Sequence, residues 1–260
     1  MGPKIRILCL HGKGTSALVF RSQTTSFRTR LNDLPLEFDF IDAPHPTTPA
    51  AGIDLFYDPP YYAFWPDDTL SNVHSARKWL LDHIATHGPY DAVMGFSQGS
   101  ILAASTLLWH AYESPGTPPP FKAAIFICGG APLGVLEEVG YEIPPEVREW
   151  DLESRRRLAA VADKKAILAA GSARWKEEEI DVEGVRGSLV GEVKIQVPTV
   201  HVYGSRDPRY GAGVLLSGVC EERKRRDFNH GGGHDIPRGQ VVSDKLAELV
   251  RWALREGRVC

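Results

Sequence analysis

The chain has 260 residues, 43% hydrophobic and 24% charged, with a formal charge of -3. That length and apolar content allow one substantial core, so residues 1–260 are expected to form a single α/β domain. The acidic balance excludes the electrostatic footprint of a nucleic-acid binder, because the only basic clusters, 155–157 and 223–226, are short enough to be solvated helix faces.

The first predicted element is a strand over residues 5–10 (IRILCL), too short for the apolar segment of a secretory leader. It runs into His11-Gly12-Lys13-Gly14, which supports two readings. Gly12-x-Gly14-x-x-Ala17 has the spacing of a dinucleotide-binding loop, with Asp42 at the end of a second strand (38–43) as the ribose partner. Alternatively, the same glycines turn the backbone N–H of Lys13 toward an oxygen that becomes negative only in a transition state. Residues 43–70 are crowded with prolines and aromatics, which suits a semi-rigid loop over a binding site. Within it Tyr61, Tyr62, Phe64 and Trp65, beside Phe56 and Tyr57, are candidates for an apolar substrate wall.

A helix is predicted over 72–87, where Val73, Ala76, Leu80 and Ile84 share a face and Gly88-Pro89 stops it. A strand at 92–95 leads into Gly95-Phe96-Ser97-Gln98-Gly99, and the following run, 98–110, is apolar on nearly every side, as a buried helix requires. A strand follows at 123–128. Residues 131–196 hold charged helical stretches, 146–162 and 173–181, with no strand among them, and are expected to form a lid. Strands at 199–204 and 226–229 and an amphipathic helix over 241–254 complete the alternation expected of a parallel sheet with crossover helices. Cys9, Cys128, Cys220 and Cys260 lack CxxC spacing, which argues against a zinc site and a disulfide-built domain, and makes a reduced cytoplasmic location the default. Cys9 and Cys128 read as inert core residues and Cys260 as an exposed terminus. No run is long enough to span a bilayer.

The chemistry is concentrated at Ser97. A G-x-S-x-G motif between strand and helix places the serine in a tight turn, with its hydroxyl at the carboxyl edge of the sheet and the Gln98 N–H beside it. A serine needs a base and a group to orient that base. In "FNHGGGHDIPR" His234 is the expected base, with His230 as runner-up; three glycines between them make a metal-binding helix improbable. Asp207, just after the strand-ending Gly204, is the expected acid ahead of Asp235, and the order Ser97, Asp207, His234 is that of an α/β-hydrolase. The dinucleotide reading leaves these three residues unexplained, whereas Lys13 and Gln98 supply two backbone donors for one oxyanion.

In "RILCLHG", "GPYDAVMGFSQGSILAA", "FICGG", "VPTVHVYGSRDP" and "GGGHDIP", taken in order, the chain resembles the fungal family of serine hydrolases within the α/β-hydrolase superfamily. The resemblance implies Ser97, Asp207 and His234 as a triad and Lys13 and Gln98 as oxyanion donors. It also implies activity on a small-molecule ester or an acyl thioester, the latter presented by an acyl carrier domain, as in esterases and polyketide-releasing thioesterases. No cofactor is called for. Acyl transfer on the same triad, or a binding role without covalent chemistry, are the alternatives.

Overall fold

Strand β1, Ile5–Leu10, alternates its side chains between two cores: Ile5, Ile7 and Cys9 enter one, Leu8 and Leu10 the other. A strand buried on both faces belongs in the middle of a covered sheet. The structure, a computed structural model, describes residues 4–259, so the expectation for Cys260 lies outside the described residues. The other main strands are β2 (Leu36–Ile41), β5 (Ala92–Phe96), β6 (Ala123–Ile127), β7 (Thr199–Tyr203) and β8 (Arg225–Asn229). They form a parallel six-stranded sheet in the order β2-β1-β5-β6-β7-β8. Inside the proline-rich loop, β3 (His45–Pro46) and β4 (Tyr62–Ala63) make a small antiparallel pair.

One face of the sheet is covered by α1 (Ala17–Gln23), α2 (Thr25–Arg28) and α10 (Gln240–Glu256), through Phe20, Phe27, Leu246 and Val250. The other carries α3 (Leu70–His87), α4 (Gln98–Glu113), α5 (Leu133–Glu138) and α9 (Tyr210–Gly218), through Leu80, Leu108, Leu136 and Leu216. The fold is α/β, a parallel sheet with helices on both faces, and the predicted strands fall within two residues of their observed bounds. Three further helices, α6 (Pro145–Val161), α7 (Lys164–Ala170) and α8 (Val182–Gly187), follow α5 in the stretch between β6 and β7.

Two expectations need correction. Residues 173–181 are not helical: a 3-10 turn ends at Arg174 and the chain then runs extended, with the Glu178 N–H donating to the Ser205 carbonyl at 2.8 Å. In the extended path Glu177 and Glu178 reach separate partners, Arg206 and Arg157. Cys128 lies just beyond β6, not within it, at φ 47°. Helix α9 was not foreseen, because its sequence, YGAGVLLSG, has the glycines of a loop; burial on almost every side overrides that propensity.

The chain leaves β1 toward β2 on one side and returns to β5 on the other. The carboxyl ends of β1 and β5 therefore flank the point where strand order reverses, where a crevice opens in such sheets.

Candidate active site

Ser97 occupies the turn between β5 and α4 at φ 51°, ψ -112°, a conformation that a non-glycine residue adopts only under constraint. The constraint is visible in its flanks. A Cβ on Gly99 would lie 2.2 Å from the Leu10 carbonyl oxygen, and one on Gly95 would lie 2.5 Å from the Ser100 nitrogen, so neither position accepts a larger residue without movement. The Ser97 N–H is fixed to the Ile127 carbonyl at 2.9 Å, and its side chain is left to face the crevice.

His234 Nε2 stands 3.0 Å from Ser97 Oγ, and His234 Nδ1 stands 2.6 Å from Asp207 Oδ2. Asp207 is buried; its other oxygen accepts the Arg209 N–H at 2.8 Å, which fixes the carboxylate edge-on to the imidazole. The ring of His234 also packs against Phe96 at a centroid distance of 5.3 Å. The three expected residues are thus brought together. His230 is turned elsewhere: its Nδ1 accepts the Gly232 N–H at 3.1 Å, its Nε2 is buried without a partner, and burial lowers its pKa to about 4.

The contacts of the loop after β1 bear on which use its glycines serve. Asp42 accepts the Ala17 N–H at 2.7 Å, so the carboxylate of the dinucleotide reading caps α1 and occupies the place a phosphate would need. His11, fully buried, accepts the Ala43 N–H on Nε2 at 3.0 Å and therefore donates from Nδ1 to the Gly12 carbonyl at 2.8 Å. The Thr15 hydroxyl donates to that carbonyl as well, at 2.7 Å. In a trans peptide the N–H points opposite the carbonyl, so anchoring the Gly12 oxygen directs the Lys13 N–H the other way. Burial lowers the His11 pKa, which keeps this ring neutral and able to accept. The Gln98 N–H is the first of α4 and has no intrahelical acceptor.

Ser97, His234, Lys13 and Gln98 border one cavity of about 1050 Å³. Of the expected wall residues, Trp65 lines it, with Phe56 and Tyr57. Tyr61, Tyr62 and Phe64 do not. Phe64 packs instead against His11 and Trp79, Tyr61 donates to the Tyr57 carbonyl, and Tyr62 pairs in β4. Further wall comes from residues 47–53 of the proline-rich loop and from Leu158, Ala159 and Ile167 of α6 and α7.

Four features escaped the sequence reading. The Gln98 side chain accepts the Phe64 N–H at 2.8 Å and donates to the Trp65 carbonyl at 2.9 Å, tying the long loop to the residue after Ser97. Arg209 is buried and donates to Asp151 and Ser154 of α6, so the loop bearing Asp207 is anchored to the segment between β6 and β7. Arg155, read as part of a solvated face, pairs with Asp151 and Asp68 beside the cavity. Cys128 places its sulfur within 4.8 Å of donor atoms of Asp207 and His234. Burial pushes that thiol well up, which keeps it protonated and a weak nucleophile. The "RDPR" stretch was the one available signal for Arg209; the others depend on contacts far apart in the chain.

Residues 1–246 match the serine hydrolase (FSH1) family. The chain is 31% identical to an esterase, FPY3, of Fusarium mangiferae, over 95% of each sequence. It is 26% identical to an esterase, alnB, of Emericella nidulans, over 97% of this chain and 98% of that one. A hydrolase, FUB4, of Fusarium oxysporum is 29% identical, over 95% and 97%. Among solved structures, esterase PE8 superposes with a TM-score of 0.51 at 18% identity, over 97% of this chain and 94% of that one. A carboxylesterase from Mesorhizobium loti does so with 0.51 at 12%, over 96% and 90%. At such identity the structural likeness concerns the fold, which is that of the α/β-hydrolases. No helix among the described residues is long and apolar enough to cross a membrane. With its family match spanning nearly the whole sequence, the chain belongs to the FSH1 family of serine hydrolases and is a hydrolase.

Proposed function

We propose that the protein cleaves an ester or thioester of an apolar acyl group through an acyl-enzyme on Ser97. The observation that carries this reading is the hydrogen-bonded series from Ser97 Oγ through His234 to Asp207, at 3.0 and 2.6 Å, opening into a cavity of about 1050 Å³. In the first step Ser97 attacks the carbonyl while His234 Nε2 takes its proton. Asp207 holds the ring with Nδ1–H toward itself and stabilises the imidazolium. The oxyanion then lies between the N–H groups of Lys13 and Gln98, and the loss of one such donor typically costs about 10²–10³ in rate.

Collapse expels the alcohol or thiol, which takes the proton from His234; water, activated by the same ring, then attacks the acyl-enzyme and releases the acid. Trp65, Phe56 and Tyr57 supply apolar wall for the acyl chain. The segment 131–196 acts as a lid, since α6 and α7 form part of that wall. The volume suits an extended acyl chain, including a polyketide or fatty acyl group delivered as a thioester by a carrier domain.

The test is intact-mass detection of an acyl-enzyme across esters and thioesters of graded chain length, with fluorophosphonate labelling beside it. A covalent adduct on wild type and none on Ser97→Ala is expected, with turnover lowered about 10⁴–10⁶-fold in the variant. A folded wild type that forms no adduct with either reagent would favour binding without covalent chemistry. Acyl appearing on an added alcohol or amine in preference to water would assign a transferase.

A further inference from the structure

The wall of the Ser97 cavity carries more positive charge than its own carboxylates neutralise. Its charged side chains include Lys13, Arg155, Arg174, Arg209 and Arg238, against Asp68 and Asp235. Arg155 is paired with Asp68 and Asp151, and Arg209 with Asp151. Lys13, Arg174 and Arg238 form no ion pair among the described residues. The Lys13 ammonium donates to the Pro66 carbonyl. Arg238 donates to the Tyr57 hydroxyl at 3.2 Å. Arg174 lies over the Trp175 ring at 4.4 Å and donates to the Gly171 carbonyl, while its Nε is buried without a partner. Asp235 is the one lining carboxylate outside an ion pair; its charge acts on Arg174 and His234 without a direct contact to the guanidinium, so it offsets at most one of the three.

This excess does not come from a basic chain, whose formal charge is -3. Nor is it how the neighbouring arginines are arranged: Arg157 and Arg206 both have glutamate partners. A partly desolvated guanidinium without an ion-pair partner, as at Arg174, is costly, and the planar forks of Arg174 and of the exposed Arg238 match carboxylate and phosphate oxygens. Their position narrows the ligand further. Arg238 lies four residues beyond His234, and Trp175, next to Arg174, lies so close to Gly233 that a Cβ there would be 2.2 Å from the indole. Both arginines thus flank the loop bearing His234, and the ring that protonates the departing atom faces the leaving group.

We propose that Arg174 and Arg238 form a subsite for an anionic leaving group, a thiol or alcohol that carries a carboxylate or phosphate. The inference rests on Ser97 being the nucleophile of the same cavity. Carboxylate is probed with hexanoyl thioesters of 3-mercaptopropionate and 3-mercaptopropionamide, and phosphate with those of phosphopantetheine and pantetheine. In at least one pair the anionic member should have a kcat/KM roughly tenfold higher at low ionic strength, mostly through KM, as expected for one charge-assisted contact. The preference should shrink as salt is raised. Arg174→Gln and Arg238→Gln should each reduce it, and Arg238→Glu should turn it against the anion. Ratios near one in both pairs, or a preference that neither arginine affects, overturn the subsite. So does an anion preference found only when the carboxylate is on the acyl side, as in a glutarate half-thioester of pantetheine. Ser97-dependent hydrolysis of the neutral thioesters without anion preference would sink the subsite and leave the hydrolytic reading intact; no adduct and no hydrolysis with any of them would sink that reading.

Discussion

His201 sits in β7, fully buried, three residues before the loop that carries Asp207, and its Nε2 meets only the Thr199 hydroxyl, at 3.1 Å. Burial lowers its pKa from 6.5 to about 4, because the lost hydration of an imidazolium outweighs the attraction of Asp227, and Arg225 and Arg186 oppose the charge as well. The folded pKa is below the unfolded one, so as pH falls the unfolded chain takes up the proton first. Stability is therefore full above about pH 6.5 and declines down to about pH 4. At pH 5 the loss from this one ring is about 2 kcal/mol, and it approaches about 3.4 kcal/mol once both states are protonated. Against a typical total of about 5–15 kcal/mol, that is a large share. Urea unfolding of wild type and His201→Gln at pH 7.5 and pH 5.0 reads the effect. The variant is expected to be less stable at pH 7.5, where its amide must fill the imidazole's place, but to lose about 2 kcal/mol less than wild type on going to pH 5.0. The comparison cancels every other titrating group. Equal losses in the two proteins would refute the claim that this ring is neutral in the fold.

His234→Gln should lower kcat/KM toward a model ester by about 10⁴, whereas His230→Asn should stay within about tenfold of wild type; the reverse pattern would exchange the base. Gln98→Met keeps the backbone N–H next to Ser97 but strands the Phe64 N–H and the Trp65 carbonyl. It should cost about 2–4 kcal/mol in urea unfolding, and kcat/KM should fall at least tenfold as the loop loosens; unchanged values would show that the clamp is idle. Arg209→Met strips Asp151 Oδ1 of its buried partner, leaving the carboxylate only partly compensated by Arg155 on Oδ2, and should cost about 1–3 kcal/mol, part of which an added Asp151→Leu should restore. A double variant no more stable than the single would show that the pair, not the uncompensated charge, was responsible.

The sheet and the three aligned side chains were legible because each rests on a local pattern. Period-two burial in β1, the glycines around Ser97 and the order of Ser97, Asp207 and His234 are all readable within a few residues, and the fold then joins their loops at the strand ends. His230 and His234, four residues apart, take different places: after the run of three glycines the second curls back to the serine, while the first is held by the Gly232 N–H. Strand ends were less exact, since the last residue of a strand is set by its neighbour's register rather than by its own side chain. The aromatics of the long loop show the limit of composition. Phe64 and Trp65 are adjacent and equally apolar, yet only Trp65 borders the cavity, because the Gln98 amide grips the backbone on either side of their junction and so decides which ring faces which way.

The side of the cavity away from the sheet is built by a different kind of contact. Arg155 meets Asp68 across 87 residues of chain, and Arg209 meets Asp151 across 58. A charged helix whose polar side faces such partners has the same sequence pattern as one that faces water, so the basic cluster 155–157 could not disclose that its first member is engaged and its second, Arg156, is exposed. The two kinds of contact also differ in what they constrain. Moving Ser97 requires breaking the close packing of β1 against α4, whereas the ion pairs of α6 can be re-formed with other partners at modest cost. Variation in acyl group or leaving group should therefore be accommodated through residues 43–70 and 131–196, where Arg174 lies, with the hydrogen-bonded series at the sheet edge left unaltered.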